Sequence, residues 1–465
     1  MAQDSVLHSH SPVSHLAITW VLIGPLIYLV GGGTFWFQNG TRNNGLTATY
    51  GQLAGESMTG QNIVFAVCIF SVLFAVISTR ARSVFGAFFQ DKVFAMLCLL
   101  AITSSIWSQF PARSLEYSLC LLTDTLFTFY LIKRFDSNRL IKLVMVLGWV
   151  SLVLSIVLSL FFSEYGVDHT GISGAWRGMW NHKNVCAMTT VFLLSGAFYV
   201  SAKTLIAKWF RTLYICMSIF LILMTQSRTG WVLLACLIAY VVTMRCLDAL
   251  GAHDRSVAFL LVATVTFPLV MVGISYSREL TYLIGKDPSL TGRTGIWQAV
   301  IASAMKHPIL GYGYAAFWMG LQGESANASL SSRWLVTSAH NGFLEVWLSL
   351  GAVGLGLVMF TFIRVIRDAI VCFLLKNNPY LRWYICIVFL TIVLSFDEGE
   401  LVVPNNFERS GQTFVLVRFF ATHVGCFWDK VSRSPASEFI SSYWRGFSAA
   451  ENMVSMLVQW QWPRF

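Results

Sequence analysis

Residues 215–246 read ICMSIFLILMTQSRTGWVLLACLIAYVVTMRC. Two apolar stretches flank one polar break, Thr225-Gln-Ser-Arg-Thr-Gly230. Each stretch approaches the ~20 residues that a helix needs to cross the hydrocarbon core. A charge kept in a short break beside lipid is costly, so Arg228 is a functional candidate by default. The bland alternative is an arginine snorkelling from a helix end.

The pattern continues outward in both directions. Apolar runs lie at 16–35, 62–79, 93–108, 115–132, 140–163, 184–202, 209–226, 230–247, 256–275, 341–363, 380–396 and 412–428. The 465 residues are 56% hydrophobic and 12% charged, against about 25% charged in soluble domains. The expected fold class is an all-α polytopic membrane protein with about twelve (11–13) transmembrane helices. Residues 16–35 lack a cleavage site ahead of a soluble domain and read as a retained helix. The expected layout is a bundle of nine spans over 1–275, a long loop over 276–340, three spans over 341–428 and a tail over 429–465. The tail is expected in the cytoplasm. All ten cysteines fall in or beside apolar runs without ligand spacing, so neither metal nor disulfide is expected.

The net charge of +10 does not describe a nucleic-acid binder. Lys and Arg gather in alternate loops, as at Lys133, Arg134, Arg139 and Lys142 or Arg364, Arg367, Lys376 and Arg382. The positive-inside rule then puts both termini in the cytoplasm and 276–340 outside. Within that loop a short helix is expected over 294–306, between the turn signals Asp287-Pro288 and His307-Pro-Ile-Leu-Gly-Tyr-Gly313. By parity Lys183, Arg228, Arg293 and His340 share the outer side.

Two arginines and a histidine suit a phosphorylated substrate. Guanidinium offers permanently charged, planar donors that match phosphate oxygens. A departing diphosphate needs positive charge, and histidine can take a proton from a sugar hydroxyl at neutral pH. The simpler readings are a surface arginine for Arg293 and a helix-start residue near a Ser338 cap for His340. Asn341 and Glu345 lie one turn apart, and a buried Glu345 is expected to meet a cation or a sugar. Arg177, Trp180, His182, Lys183 and Asn184 form a second group. Trp176 and Trp180 suit the interfacial aromatic belt as well as sugar stacking.

At these residues the chain resembles the O-antigen ligase and polymerase family of the bacterial envelope. The matching pieces are Trp180-Asn-His-Lys-Asn184, Ser227-Arg-Thr-Gly230, Gly292-Arg-Thr-Gly-Ile-Trp297, His307–Gly313, Ala339-His-Asn-Gly-Phe-Leu-Glu345 and the glycine-rich Leu350–Gly356. The resemblance implies an undecaprenyl-diphosphate oligosaccharide donor and a glycan acceptor, used at the periplasmic face of the inner membrane without cofactor or metal. It assigns Arg228 and Arg293 to the diphosphate and His340 to acceptor activation, making these three catalytic. His182, Lys183, Asn184, Asn341, Glu345, Arg177 and Trp180 are expected to bind substrate. Membrane lipids and a chain-length regulator are the further partners expected. The His-Lys-Asn element favours an exopolysaccharide polymerase over a ligase acting on lipid A-core. A flippase for lipid-linked sugars would instead predict broken helices and repeated halves. Its best support is Arg418 with the acidic run Asp397-Glu-Gly-Glu400.

Overall fold

The computed structural model describes residues 83–89, 91–168, 174–180, 182–248, 291–332, 336–375 and 379–396. The expected spans at 16–35, 62–79, 256–275 and 412–428 lie outside the described residues, as do the acidic run 397–400 and the tail. The other eight expected spans are helices. They are α1 (Lys92–Thr103), α2 (Pro111–Arg134), α3 (Ser137–Phe161), α4 (Lys183–Ser195), α5 (Leu205–Met224), α6 (Arg228–Asp248), α9 (Gly342–Leu375) and α10 (Pro379–Ser395). Two shorter helices belong to the long connection: α7 (Thr291–Ala304) and α8 (Ser325–Ser332). The helix expected over 294–306 therefore begins three residues earlier. A small antiparallel pairing, Val167–Asp168 with Ala175–Trp176, adds a hairpin to the all-α expectation.

Each start has a local cause. Asp136 accepts the Arg139 amide at 3.0 Å and Thr204 that of Ala207 at 3.2 Å, caps worth about 1 kcal/mol each. Proline opens α2 and α10, where its missing N–H costs nothing.

Among the described residues, four helices are long and apolar enough to cross a membrane: Ser137–Phe161, Leu205–Met224, Arg228–Leu247 and Gly342–Arg367. The 115–132 expectation falls on helix α2. The helix carries Arg113, Glu116, Asp124, Lys133 and Arg134. It also buries Ser114, Ser118, Asp124, Thr125 and Thr128, so it is an interior helix with a polar face. Close approach of helices uses small residues, as bilayer interiors require. A Cβ at Gly230 would overlap the Ala187 methyl, drawing α6 onto α4.

The bundle has a definable polarity. Tyr240 in the second half of α6 donates to the Arg382 carbonyl at 2.8 Å, and Trp383 donates to Ser195 at the end of α4 at 3.0 Å. Thus α10 runs antiparallel to both and finishes beside their starts. There Phe396 meets Phe343, the second residue of α9, with ring centroids 5.2 Å apart. The starts of α4, α6 and α9 therefore share one end of the bundle. Basic residues lie at the other termini: Lys133, Arg134 and Arg139 around the α2–α3 connection, Lys203 after α4, Arg245 in the last turn of α6 and Arg382 in the first turn of α10.

The expected continuous span 341–363 is instead broken at Gly351, whose φ is 64° and ψ −166°. The segment 308–313 fills the break. Pro308 and Ile309 carbonyls accept from Ala352 and Val353 amides at 2.8 and 3.3 Å. Tyr312 and Gly313 amides donate to the Leu348 and Ser349 carbonyls at 2.8 and 3.0 Å. A Cβ on Gly351 would collide with the Ile309 carbonyl, and one on Gly311 would lie 2.5 Å from the Leu348 oxygen. The proline-glycine turn and the glycine-rich helix are two halves of one joint. The break matches one feature of the transporter expectation, although none of these four carbonyls is left without a donor.

Candidate functional site

Two groups form at the shared end. In the first, Ser227 is the hinge. Its hydroxyl donates to Asn184 Oδ1 at 2.9 Å and accepts the Gly230 amide at 3.1 Å, capping α6. The His182 imidazole caps α4, with Nδ1 accepting the Asn184 amide at 3.2 Å. Two parallel helix starts thus sit side by side, with Lys183 and Arg228 as their first residues. The dipoles of the two helix starts favour an anion. Arg228 is exposed, and the backbone turns into it through Gln226 at φ 51°.

Trp180 and Arg177 lie just before this point. The Trp180 ring is 3% exposed, and its indole N–H is buried with no hydrogen-bond partner among the described residues. Arg177 is engaged by backbone: Nε donates to the Tyr165 carbonyl at 2.8 Å and Nη2 to that of Glu164 at 3.1 Å. Burial lowers its pKa, and the nearby Asp168 charge opposes the shift.

The second group centres on His340. It has a left-handed backbone, φ 48°, which costs an L-residue roughly 1–2 kcal/mol. The turn is held at every peptide. The His340 amide donates to Ser338 Oγ at 3.1 Å, and the Ala339 carbonyl accepts Trp297 Nε1 at 2.9 Å. The Ala339 amide donates to Glu345 Oε1 at 2.5 Å. Asn341 Oδ1 caps α9, accepting the Phe343 and Leu344 amides at 3.0 and 3.1 Å. Arg293 lies one turn before Trp297 on α7, so the Trp297 bond ties its helix to the His340 turn.

Glu345 is 3% exposed. Both its oxygens accept Trp318 Nε1, at 2.9 and 2.8 Å. Besides these N–H groups, the Ser338 hydroxyl and the His340 charge act on it, where the sequence suggested a cation or a sugar. Trp318 carried no signal in the sequence, since it lies 27 residues away and outside every motif. Trp297 stood at the end of a quoted motif with no role of its own assigned to it.

The geometry therefore assembles a cationic pair of helix starts and an oriented imidazole at one bundle end. Residues 213–359 match a family model described as O-Antigen ligase, a stretch that holds Arg228, Arg293, His340, Glu345 and the Gly351 joint. The chain is 25% identical over 359 residues to the exopolysaccharide production protein ExoQ of Rhizobium meliloti (strain 1021), covering 70% of this chain and 80% of that protein. Over residues 213–359 the chain is thus similar to the O-antigen ligase family. Its described helices include four long and apolar enough to cross a membrane, as a multi-pass membrane protein requires. A chain from a solved peptidoglycan synthase complex also aligns, at 16% identity and a TM-score of 0.36, covering 73% of this chain and 95% of that one. That likeness is too distant to bear on the site.

Proposed function

We propose that this chain is a metal-independent glycosyltransferase that polymerises exopolysaccharide repeat units at the periplasmic face of the bacterial inner membrane. The donor is a glycan on undecaprenyl diphosphate and the acceptor a sugar hydroxyl of another lipid-linked unit. The observation that carries the reading is the gathering of Lys183, Arg228 and the His340 turn at one bundle end. Arg228, Lys183 and the two helix starts hold the diphosphate, joined by Arg293 from α7. Charge fixed in advance there stabilises the leaving group as it departs. The His340 imidazole takes the proton of the attacking hydroxyl. Trp180 and Asn184 are assigned to the donor or acceptor sugar. Glycosyl transfer needs no nucleotide, because the lipid-diphosphate bond already stores the energy.

The similarity to an exopolysaccharide production protein supports polymerase. The family description favours a second reading, ligation of finished glycan onto lipid A-core. One experiment separates them. Purified protein given lipid-diphosphate repeat units, with chelator and without nucleotide sugar, should lengthen the lipid-linked glycan. Transfer to added lipid A-core without lengthening would establish the ligase instead. A His340→Ala variant that inserts normally and keeps full activity would remove the base assignment.

A further inference from the structure

The structure leaves Glu345 with an occupation of its own. It is buried, lies five residues after His340, and meets chain donors on both oxygens. Trp318 Nε1 lies 2.9 and 2.8 Å from the two oxygens, and the Ala339 amide reaches Oε1. Oε1 accepts from both donors, and Oε2 shares the Trp318 N–H with it. In glutamine, an NH2 in the place of Oε2 would oppose the indole N–H. Burying a carboxylate is expensive, and ordinary packing gives no reason for that cost. The turn it serves does. The Ala339 peptide is gripped on its N–H by Glu345 and on its carbonyl by Trp297, immediately before a histidine in a strained left-handed conformation. Strain of this kind persists only where surrounding groups over-determine it.

Resting on the proposed role of His340 as base, we propose that Glu345 is a positioning residue. Its carboxylate, oriented by Trp318, fixes the Ala339 peptide and through it the direction of the His340 imidazole. Glu345 touches neither donor nor acceptor.

Two variants and two readouts test this in the full-length protein. Glu345→Gln should lower kcat about ten- to a hundredfold, the scale of a small misplacement, and leave KM for the lipid-linked donor within about twofold. Trp318→Phe, which keeps the carboxylate and removes one donor, should show the same pattern at smaller size. In a His340→Ala background, Glu345→Gln should cause no further fall. A full multiplicative loss there, or an unchanged kcat in Glu345→Gln alone, overturns the proposal. The second readout is free of catalysis: the rate at which diethyl pyrocarbonate modifies His340, followed by mass spectrometry. That rate should change several-fold in both variants, as an altered imidazole environment requires; an unchanged rate overturns the positioning role. Because this rate does not depend on turnover, it remains decisive if His340→Ala proves active and only the base assignment falls.

Discussion

Two polar breaks at the same bundle end are built on the same backbone plan and finished differently. Before α6, Gln226 takes a left-handed φ of 51°; before α9, His340 takes one of 48°. A side-chain cap follows each, Ser227 in one and Asn341 in the other. At the first break the hydroxyl of Ser227 reaches across to Asn184 and leaves Arg228 exposed. At the second, a buried carboxylate and two tryptophans grip the turn. A cation that neutralises a diphosphate needs to be in the right place, whereas a base needs to point in the right direction. The first break supplies charge at a location; the second supplies an orientation, and more of the chain is committed to it.

The sharpest way to break this contrast is Gly351→Val. The substitution puts a β-branched residue at φ 64° and drives a Cβ into the Ile309 carbonyl. We expect a loss above about 3 kcal/mol in stability, read as thermal unfolding in detergent, with activity lost as the 342–350 turns come loose. Next in size is Arg228→Ala, which should lower kcat/KM by about a hundredfold, or 2.7 kcal/mol. Arg228→Lys should recover only part of this, because ammonium lacks the two-pronged fork. Full recovery by lysine would show that the first break also depends on orientation. Ser227→Ala should be milder, costing about 1 kcal/mol of stability by freeing Asn184 and the α6 amide, and lowering activity less than tenfold. The smallest effect concerns Glu324, paired with Lys306 beneath Tyr312. Burial alone would raise its pKa, but hydrogen bonds from Lys306, Asn327 and Ser303 and the Lys306 charge lower it on balance. Its folded pKa is depressed, so this pair stabilises above the ordinary value of 4.5 and the contribution fades as pH falls through the folded pKa. Lys306→Met should flatten the acid limb of the unfolding profile by less than about 1 kcal/mol.

The helices were legible because lipid imposes a simple length rule, and the polar breaks because charge beside lipid is conspicuous. Lys183, Arg228 and His340 could therefore be placed at helix starts from the sequence. The α2 helix was harder: Ser114, Ser118, Thr125 and Thr128 reduce the contrast between a lipid-facing span and an interior one. The role of Glu345 was out of reach because its partner Trp318 is distant in sequence and both groups are ordinary residues in an apolar surrounding. Sequence pattern could say that a buried carboxylate needs a partner, but not which groups of the chain would fill the position. Arg177 posed the same problem, since its acceptors are backbone carbonyls that no pattern advertises.

The joint at Gly351 also sets how the chain can vary. Residues 308–313 and 348–353 complete each other's backbone hydrogen bonds, so neither segment has a satisfied conformation by itself. They form a single unit of exchange between related proteins. A chimera that imports the turn without the matching break, or the break without the turn, inherits four orphaned peptide groups near the membrane. Loop swaps intended to change glycan preference must therefore carry both segments together.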